Sequence, residues 1–256
     1  MLKKVIIYYQ LQWIMINMWM KKQFLIVLFF FAFVSLKAQN NTDFQYRFAP
    51  SIDYKINKKW KVGFDYRYAL EKDFSTFQAS VFQVAGEYKI NKKMTLEAGY
   101  RFSTSTKIDN QRLFASFMFD YKVKKITFSS RTKYQFSTAY FNSDYWNEFD
   151  RPNQYLRQKF TIDYNIPKSK ISVNFSPEFF IKWDQTRFLY NRTRYNIGTN
   201  YKLKYGNTIG LALLYEDKLN PIKNDRFILT TKYNLSIDEL WKNPNKKDKK
   251  KNKEKE

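Results

Sequence analysis

Residues 94–103 read MTLEAGYRFS, and they divide into two files. Met94, Leu96, Ala98, Tyr100 and Phe102 are apolar or aromatic, whereas Thr95, Glu97, Gly99, Arg101 and Ser103 are small, polar or charged. Side chains of an extended chain point alternately to opposite sides, so period two marks a strand whose faces meet different surroundings. The stretch after Pro167 repeats the pattern, with Ile171, Val173, Phe175, Phe179, Ile181 and Trp183 against Ser172, Asn174, Ser176, Glu178 and Lys182.

Working outward, eleven such segments appear, at about 43–56, 60–70, 77–90, 94–103, 111–123, 125–136, 154–166, 170–183, 190–204, 207–216 and 225–237. Most are longer than the roughly 5–6 residues usual in soluble proteins. They match the ~9–11 residues that a tilted strand needs to cross a bilayer. Tight turns at 57–59, 91–93, 124–125, 167–169 and 206–207 alternate with connections read as loops at 71–76, 104–110, 137–153, 184–189 and 217–224. Short turns at one rim and longer loops at the other are the habit of outer-membrane barrels, which puts the Lys-rich turns in the periplasm. Single-chain bacterial barrels have even strand numbers. An odd count therefore means that a strand is missed or that one segment stands apart, and 43–56 is the suspect because Pro50 removes a ladder donor there.

Which face points inward follows from volume. Aromatics make up 20% of the chain, yet 27% is charged and the mean hydropathy is −0.63. A barrel of about eight strands is already filled by its interior side chains. Eleven strands carrying several bulky apolar residues each overfill a soluble barrel. Turned outward, the same residues make a lipid-facing belt while the closed ladder pairs every backbone group. The expected fold class is all-β, an antiparallel transmembrane β-barrel of 10–12 strands.

By parity the lumen then holds seventeen Lys and Arg against eight acids. The candidate lumen charges are Arg67, Glu97, Arg101, Arg131, Asp163, Glu178 and Arg194. Rings of one sign select ions of the other, so one expectation is a narrow anion-preferring pore. The alternative is a non-conducting structural or adhesive envelope barrel with a salt-bridged lumen. An enzyme ranks third. The chain has no His and no Cys. It therefore lacks the commonest general base and thiolate metal ligands, and no catalytic residue, cofactor or metal is expected.

The termini give the address. Met20-Lys21-Lys22 precedes the apolar run 24–36, and Lys37-Ala38-Gln39 follows, which reads as a secretory signal over 1–39 with Met20 as the true start. A transmembrane anchor over about 5–36 is the competing reading, interrupted by the Lys pair. Residues 40–241 are assigned to the barrel and 242–256, a Lys-rich stretch without an apolar residue, to a disordered tail. The aromatic and acidic loop at 140–150 fits a cover over the barrel mouth better than a sugar or Ca²⁺ site, since no EF-hand spacing is present. Net charge is +23 overall and +13 over 40–241. Export makes nucleic acid an improbable partner; the expected partners are the lipid bilayer and lipopolysaccharide, the barrel-assembly machinery and small anions. The expected location is the bacterial outer membrane.

The hairpins INKKW and INKKM, the signal ending in KAQ and the run YKINKKMTLEAGYR at 88–101 resemble the uncharacterised outer-membrane barrels of domain of unknown function 2490. The stretch RPNQYLRQKF at 151–160 resembles a later strand entry of that family. The likeness covers about 40–237. It implies the barrel fold and transfers no functional residue, because the family carries no known activity. The Lys-rich tail departs from barrels that end on an aromatic strand.

Overall fold

A computed structural model describes residues 43–106, 109–139, 152–183, 187–219 and 225–237. The signal read at 1–39, the loop at 140–150 and the tail at 242–256 lie outside the described residues.

The strands are β1 (Asp43–Lys55), β2 (Trp60–Glu71), β3 (Thr76–Lys89), β4 (Met94–Ser105), β5 (Asn110–Val123), β6 (Ile126–Thr138), β7 (Asn153–Asn165), β8 (Ile171–Trp183), β9 (Phe188–Lys202), β10 (Thr208–Lys218) and β11 (Arg226–Ser236). Each pairs with its sequence neighbours in antiparallel register, and β1 closes on β11 to complete a barrel. With eleven strands the first and last run the same way, so the closing pair is parallel. It holds one register from Asp43↔Arg226 to Asp53↔Ser236.

This corrects the expectation of an even count and the suspicion of the first segment. Pro50 stays inside β1. The β1–β2 ladder skips the positions around it and resumes at Ser51↔Asp65 without a shift of register. Pro177 does the same between β7 and β8, where pairing passes from Lys159↔Glu178 to Ile162↔Phe175. A proline removes one donor, and a ladder with ten other strands behind it absorbs the gap.

The hairpin repeat has one geometry. Asn57 Oδ1 accepts from the amides of Lys59 and Trp60 at 2.8 and 2.9 Å. Asn91 Oδ1 accepts from those of Lys93 and Met94 at the same distances. These are side-chain turns in which the Asn oxygen satisfies amides that the ladder leaves open. The expected contrast in connection length is weaker than the sequence implies. Strands run on into the loops expected at 71–76, 104–110 and 184–189, leaving 72–75, 106–109 and 184–187. At 72–75 the chain reverses through three successive left-handed residues, Lys72, Asp73 and Phe74. Asp43 Oδ1 accepts from the Lys72 amide at 2.8 Å, and the Phe74 ring meets Tyr46 edge-on. Only 139–152 and 219–225 exceed the turns of the other rim. β9 also ends at Lys202, so Lys204 sits in a one-turn 3-10 segment, Lys204–Gly206, and not on the strand.

The faces are inverted relative to a soluble barrel. Ile197 is 56% exposed and Val84 50%, whereas Glu216 and Gln45 are each 1% exposed. The outer surface is a belt of large apolar residues, and the polar file faces the lumen, which is the arrangement of a transmembrane β-barrel. At the short-turn rim Trp60 packs on Tyr88, with Lys59 over Tyr88 and Lys93 over Tyr121, an amphipathic girdle suited to a bilayer edge.

Gly99 faces the lumen between Ala85 and Phe114. A Cβ there would meet Val84 O at 2.5 Å and Phe114 Cζ at 2.6 Å, because the Phe114 ring lies on bare backbone. Nothing lies within 4 Å of a Cβ at Gly86. Gly99→Val is expected to lower the unfolding free energy of the refolded barrel by about 1–3 kcal/mol through overpacking. Gly86→Val is expected to leave the urea midpoint near that of the wild type.

Candidate functional site

The lumen encloses a cavity of about 580 Å³. Eleven of its lining residues are Arg or Lys and one, Glu178, is acidic. The register explains how they gather, since one residue from each strand falls into a cross-strand row.

One row crosses six successive strand pairs: Arg131↔Lys159, Lys159↔Glu178, Glu178↔Arg194, Arg194↔Glu216, Glu216↔Arg226 and Arg226↔Asp43. Its acids carry the ion pairs. Glu178 Oε1 accepts from Arg131 Nη2 at 2.9 Å and from Arg157 Nη2 at 2.8 Å. Glu216 pairs with Arg194, with Arg226 at 2.9 Å and with Arg192 at 3.5 Å. Opposite charges facing each other across a ladder stabilise it, and low local dielectric strengthens the pairs.

A second row is built differently. Asp65, Gln83, Arg101, Arg112 and Ser137 stand opposite one another from β2 to β6. Gln83 Nε2 donates to Asp65 Oδ2 at 2.6 Å, and Gln83 Oε1 accepts from Arg101 Nε at 2.8 Å and also from Arg101 Nη2. Arg112 Nε donates to Ser137 Oγ at 2.7 Å. Arg101 and Arg112 are directly opposed, like charge against like, with no ion pair to either among the described residues. Arg67 of β2 has none either, and lies within electrostatic reach of Arg194 across the lumen. Such an arrangement opposes folding and needs another reason.

Two aromatic rings complete the wall. Phe180 is buried inside the lumen beneath the guanidinium carbons of Arg157, Arg194 and Arg192, at 4.4, 4.6 and 5.1 Å from the ring centre. Lys133 Nζ sits 3.8 Å over Phe114 and 3.1 Å from Glu97, which also accepts from Ser116. Toward the short-turn rim the charges are neutralised: Lys61 bridges Glu87 at 2.8 Å and Asp53 at 3.7 Å, and Asn234 donates to Asp53.

Of the seven expected lumen charges, Arg67, Arg101, Arg131, Glu178 and Arg194 line the one cavity. Glu97 joins them through Lys133. Asp163 does not line it and instead takes a long hydrogen bond from Asn165. The sequence reading missed Arg192, two residues from Arg194 and hence on the same face, and it missed Phe180 as a lumen ring. Phe180 shares the face of Glu178 and Lys182 on β8, so period two alone turns it inward; the irregularity beside it lies on β9, where Asn191 is the extra residue between Tyr190 and Arg192. Among the described residues no three acids converge as metal ligands.

The model of the family DUF2490, protein of unknown function, matches residues 17–227. No curated protein matches the chain significantly. Among solved structures, similar ones include a bacterial polysaccharide outer membrane secretin, at 14% identity and a TM-score of 0.44, with 69% of this chain and 64% of that one covered. OccK8 (OprE) of Pseudomonas aeruginosa is similar at 11% identity and a TM-score of 0.33, with 66% and 56% covered. The chain thus spans less than two thirds of the length of either.

Glu216→Gln leaves three guanidiniums without their carboxylate and is expected to lower stability by about 3–5 kcal/mol in denaturant titration. Arg67→Gln removes a cation that no acid contacts, and the same titration is expected to find its midpoint unchanged or raised.

Proposed function

We infer that this chain, which belongs to the DUF2490 family, is an outer-membrane barrel whose water-holding lumen admits small anions in preference to cations. The observation that carries this reading is the cavity lining, with eleven cationic side chains and a single acid. A lumen that served only to fill the barrel would be expected to balance its charges, as the Lys61–Glu87–Asp53 group does at the short-turn rim. The balance fails around Arg67, Arg101 and Arg112, and Arg47, Lys159 and Lys232 of the same wall also have no ion pair among the described residues. Fixed positive charge in a narrow, low-dielectric passage raises the local concentration of anions and repels cations.

Outer-membrane placement is supported by the apolar outward belt of a closed barrel and by the secretory signal read at 1–39. Lipid, lipopolysaccharide and the assembly machinery are the partners this placement implies. The lumen offers no His or Cys, and Glu97, Glu178 and Glu216 are engaged by arginines or lysines while Asp65 is held by Gln83, which favours passage or binding over catalysis.

A second reading has its own support. The salt bridges at the short-turn rim neutralise charge within the lumen, as a non-conducting envelope barrel with a salt-bridged interior would. Conductance separates the two. Refolded residues 40–256 in a planar bilayer under a salt gradient are expected to open steadily, with a reversal potential on the chloride side. Arg101→Glu together with Arg112→Glu is expected to bring the anion-to-cation permeability ratio toward unity. Silence from folded protein would reject conduction and favour the closed barrel.

A further inference from the structure

We propose that the lumen carries a binding site for a soluble phosphate-bearing anion, gripped by the guanidinium groups of Arg67, Arg101 and Arg112. The proposal deepens the anion-admitting reading of the lumen and rests on it.

The first support is the segregation of the two basic residues. The chain has 35 lysines and eleven arginines. Eight of the eleven arginines line this cavity, against three of the lysines. Most of the lysines fall elsewhere, many of them in the short turns and in the 242–256 stretch. An attraction for chloride would be met equally well by lysine. The guanidinium fork differs in offering paired N–H donors that match two oxygens of a phosphate.

Ion pairing explains only some of these arginines. Glu178 takes Arg131 and Arg157, and Glu216 takes Arg192 and Arg194. Arg67, Arg101 and Arg112 have no ion pair among the described residues. Arg101 and Arg112 are held directly opposite each other on β4 and β5, Arg67 acts electrostatically on both, and Asp65, without an ion pair to any of the three, offsets part of the charge at Arg67 and Arg101. Holding like charges together is unfavourable unless an anion neutralises them.

The cluster is also oriented. Asp65 holds the Gln83 amide nitrogen, and the Gln83 oxygen holds Arg101. Gln83 thus stands between acid and guanidinium, fixing Arg101 without a carboxylate against it. Ser137 fixes Arg112 through Nε, and its terminal nitrogens have no hydrogen-bond partner among the described residues. Arg47, beside this group, buries an Nε with no partner. The volume, about 580 Å³, lies within the ~300–1,000 Å³ of ordinary small-molecule sites. The closed wall separates it from the bilayer, so the ligand comes from solution.

The test is calorimetric titration of refolded residues 40–256 with inorganic phosphate and with pyrophosphate at constant chloride. Saturable binding of pyrophosphate, tighter than phosphate, is expected. Arg101→Lys with Arg112→Lys keeps the charge and removes the forks, and is expected to weaken binding by about tenfold or more. Lys58→Gln with Lys59→Gln, in an exposed turn, is expected to leave it unchanged. Heat-dependent electrophoretic mobility confirms that each variant is folded. No saturable binding, or full affinity in the Arg→Lys variant, would overturn the site. Binding by a barrel that is silent in bilayers keeps the site and rejects the pore. Anion-selective conductance that pyrophosphate neither blocks nor binds keeps the pore and rejects the site. Competition by glycerol phosphate supports a soluble ester, and competition by phosphatidic acid alone overturns that assignment.

Discussion

Every backbone amide and carbonyl inside a bilayer must find a partner within the protein, and the rest of this structure follows from that requirement. An open sheet would leave two edges unpaired in hydrocarbon, so β1 must meet β11. With eleven strands that meeting is parallel, a pairing slightly weaker per residue than the antiparallel ladders around it. Eleven register pairs without a shift compensate for the difference in bond geometry. Closure also tolerates the two proline gaps, since each interrupts a single ladder whose register the rest of the barrel holds.

Once the barrel is closed and lies in lipid, the two files of every strand have fixed destinations. The apolar file faces hydrocarbon. The polar file faces the lumen, so the register that pairs the backbone also decides which charges meet. Along the row from β6 to β1 it brings acids between arginines, and along the row from β2 to β6 it brings arginine against arginine. The first row stabilises the wall. The second sets like charge against like and works against it.

Much of this was legible in the sequence because period two is a local signal. The segment read at 170–183 is β8, Ile171–Trp183, and the one read at 94–103 begins where β4 does, at Met94. The inward parity of Arg67, Arg101, Arg131, Glu178 and Arg194 followed from the same alternation. What was not legible is non-local. The parallel closing pair depends on strands about 180 residues apart, and no local pattern records it. The loops at 71–76 and 104–110 looked longer because polar strand ends near a rim lose the apolar alternation while keeping their ladder bonds. Which cations would be left without acids depended on cross-strand register, and Phe180, an aromatic ring in the polar file of β8, runs against the rule that assigns apolar side chains to the outer face. Arg192 lies two residues from Arg194 on β9, so the same alternation turns it inward.

The most direct test of the account is a cysteine scan of residues 94–103 in proteoliposomes, which the absence of native Cys makes free of background. A Cys at Glu97, Arg101 or Ser103 is predicted to react with a charged, water-soluble thiol reagent. A fluorophore attached at Leu96, Tyr100 or Phe102 is predicted to be quenched by brominated lipid. The opposite phase, or no alternation, would contradict a barrel whose charged file lines the lumen and whose aromatic file faces lipid.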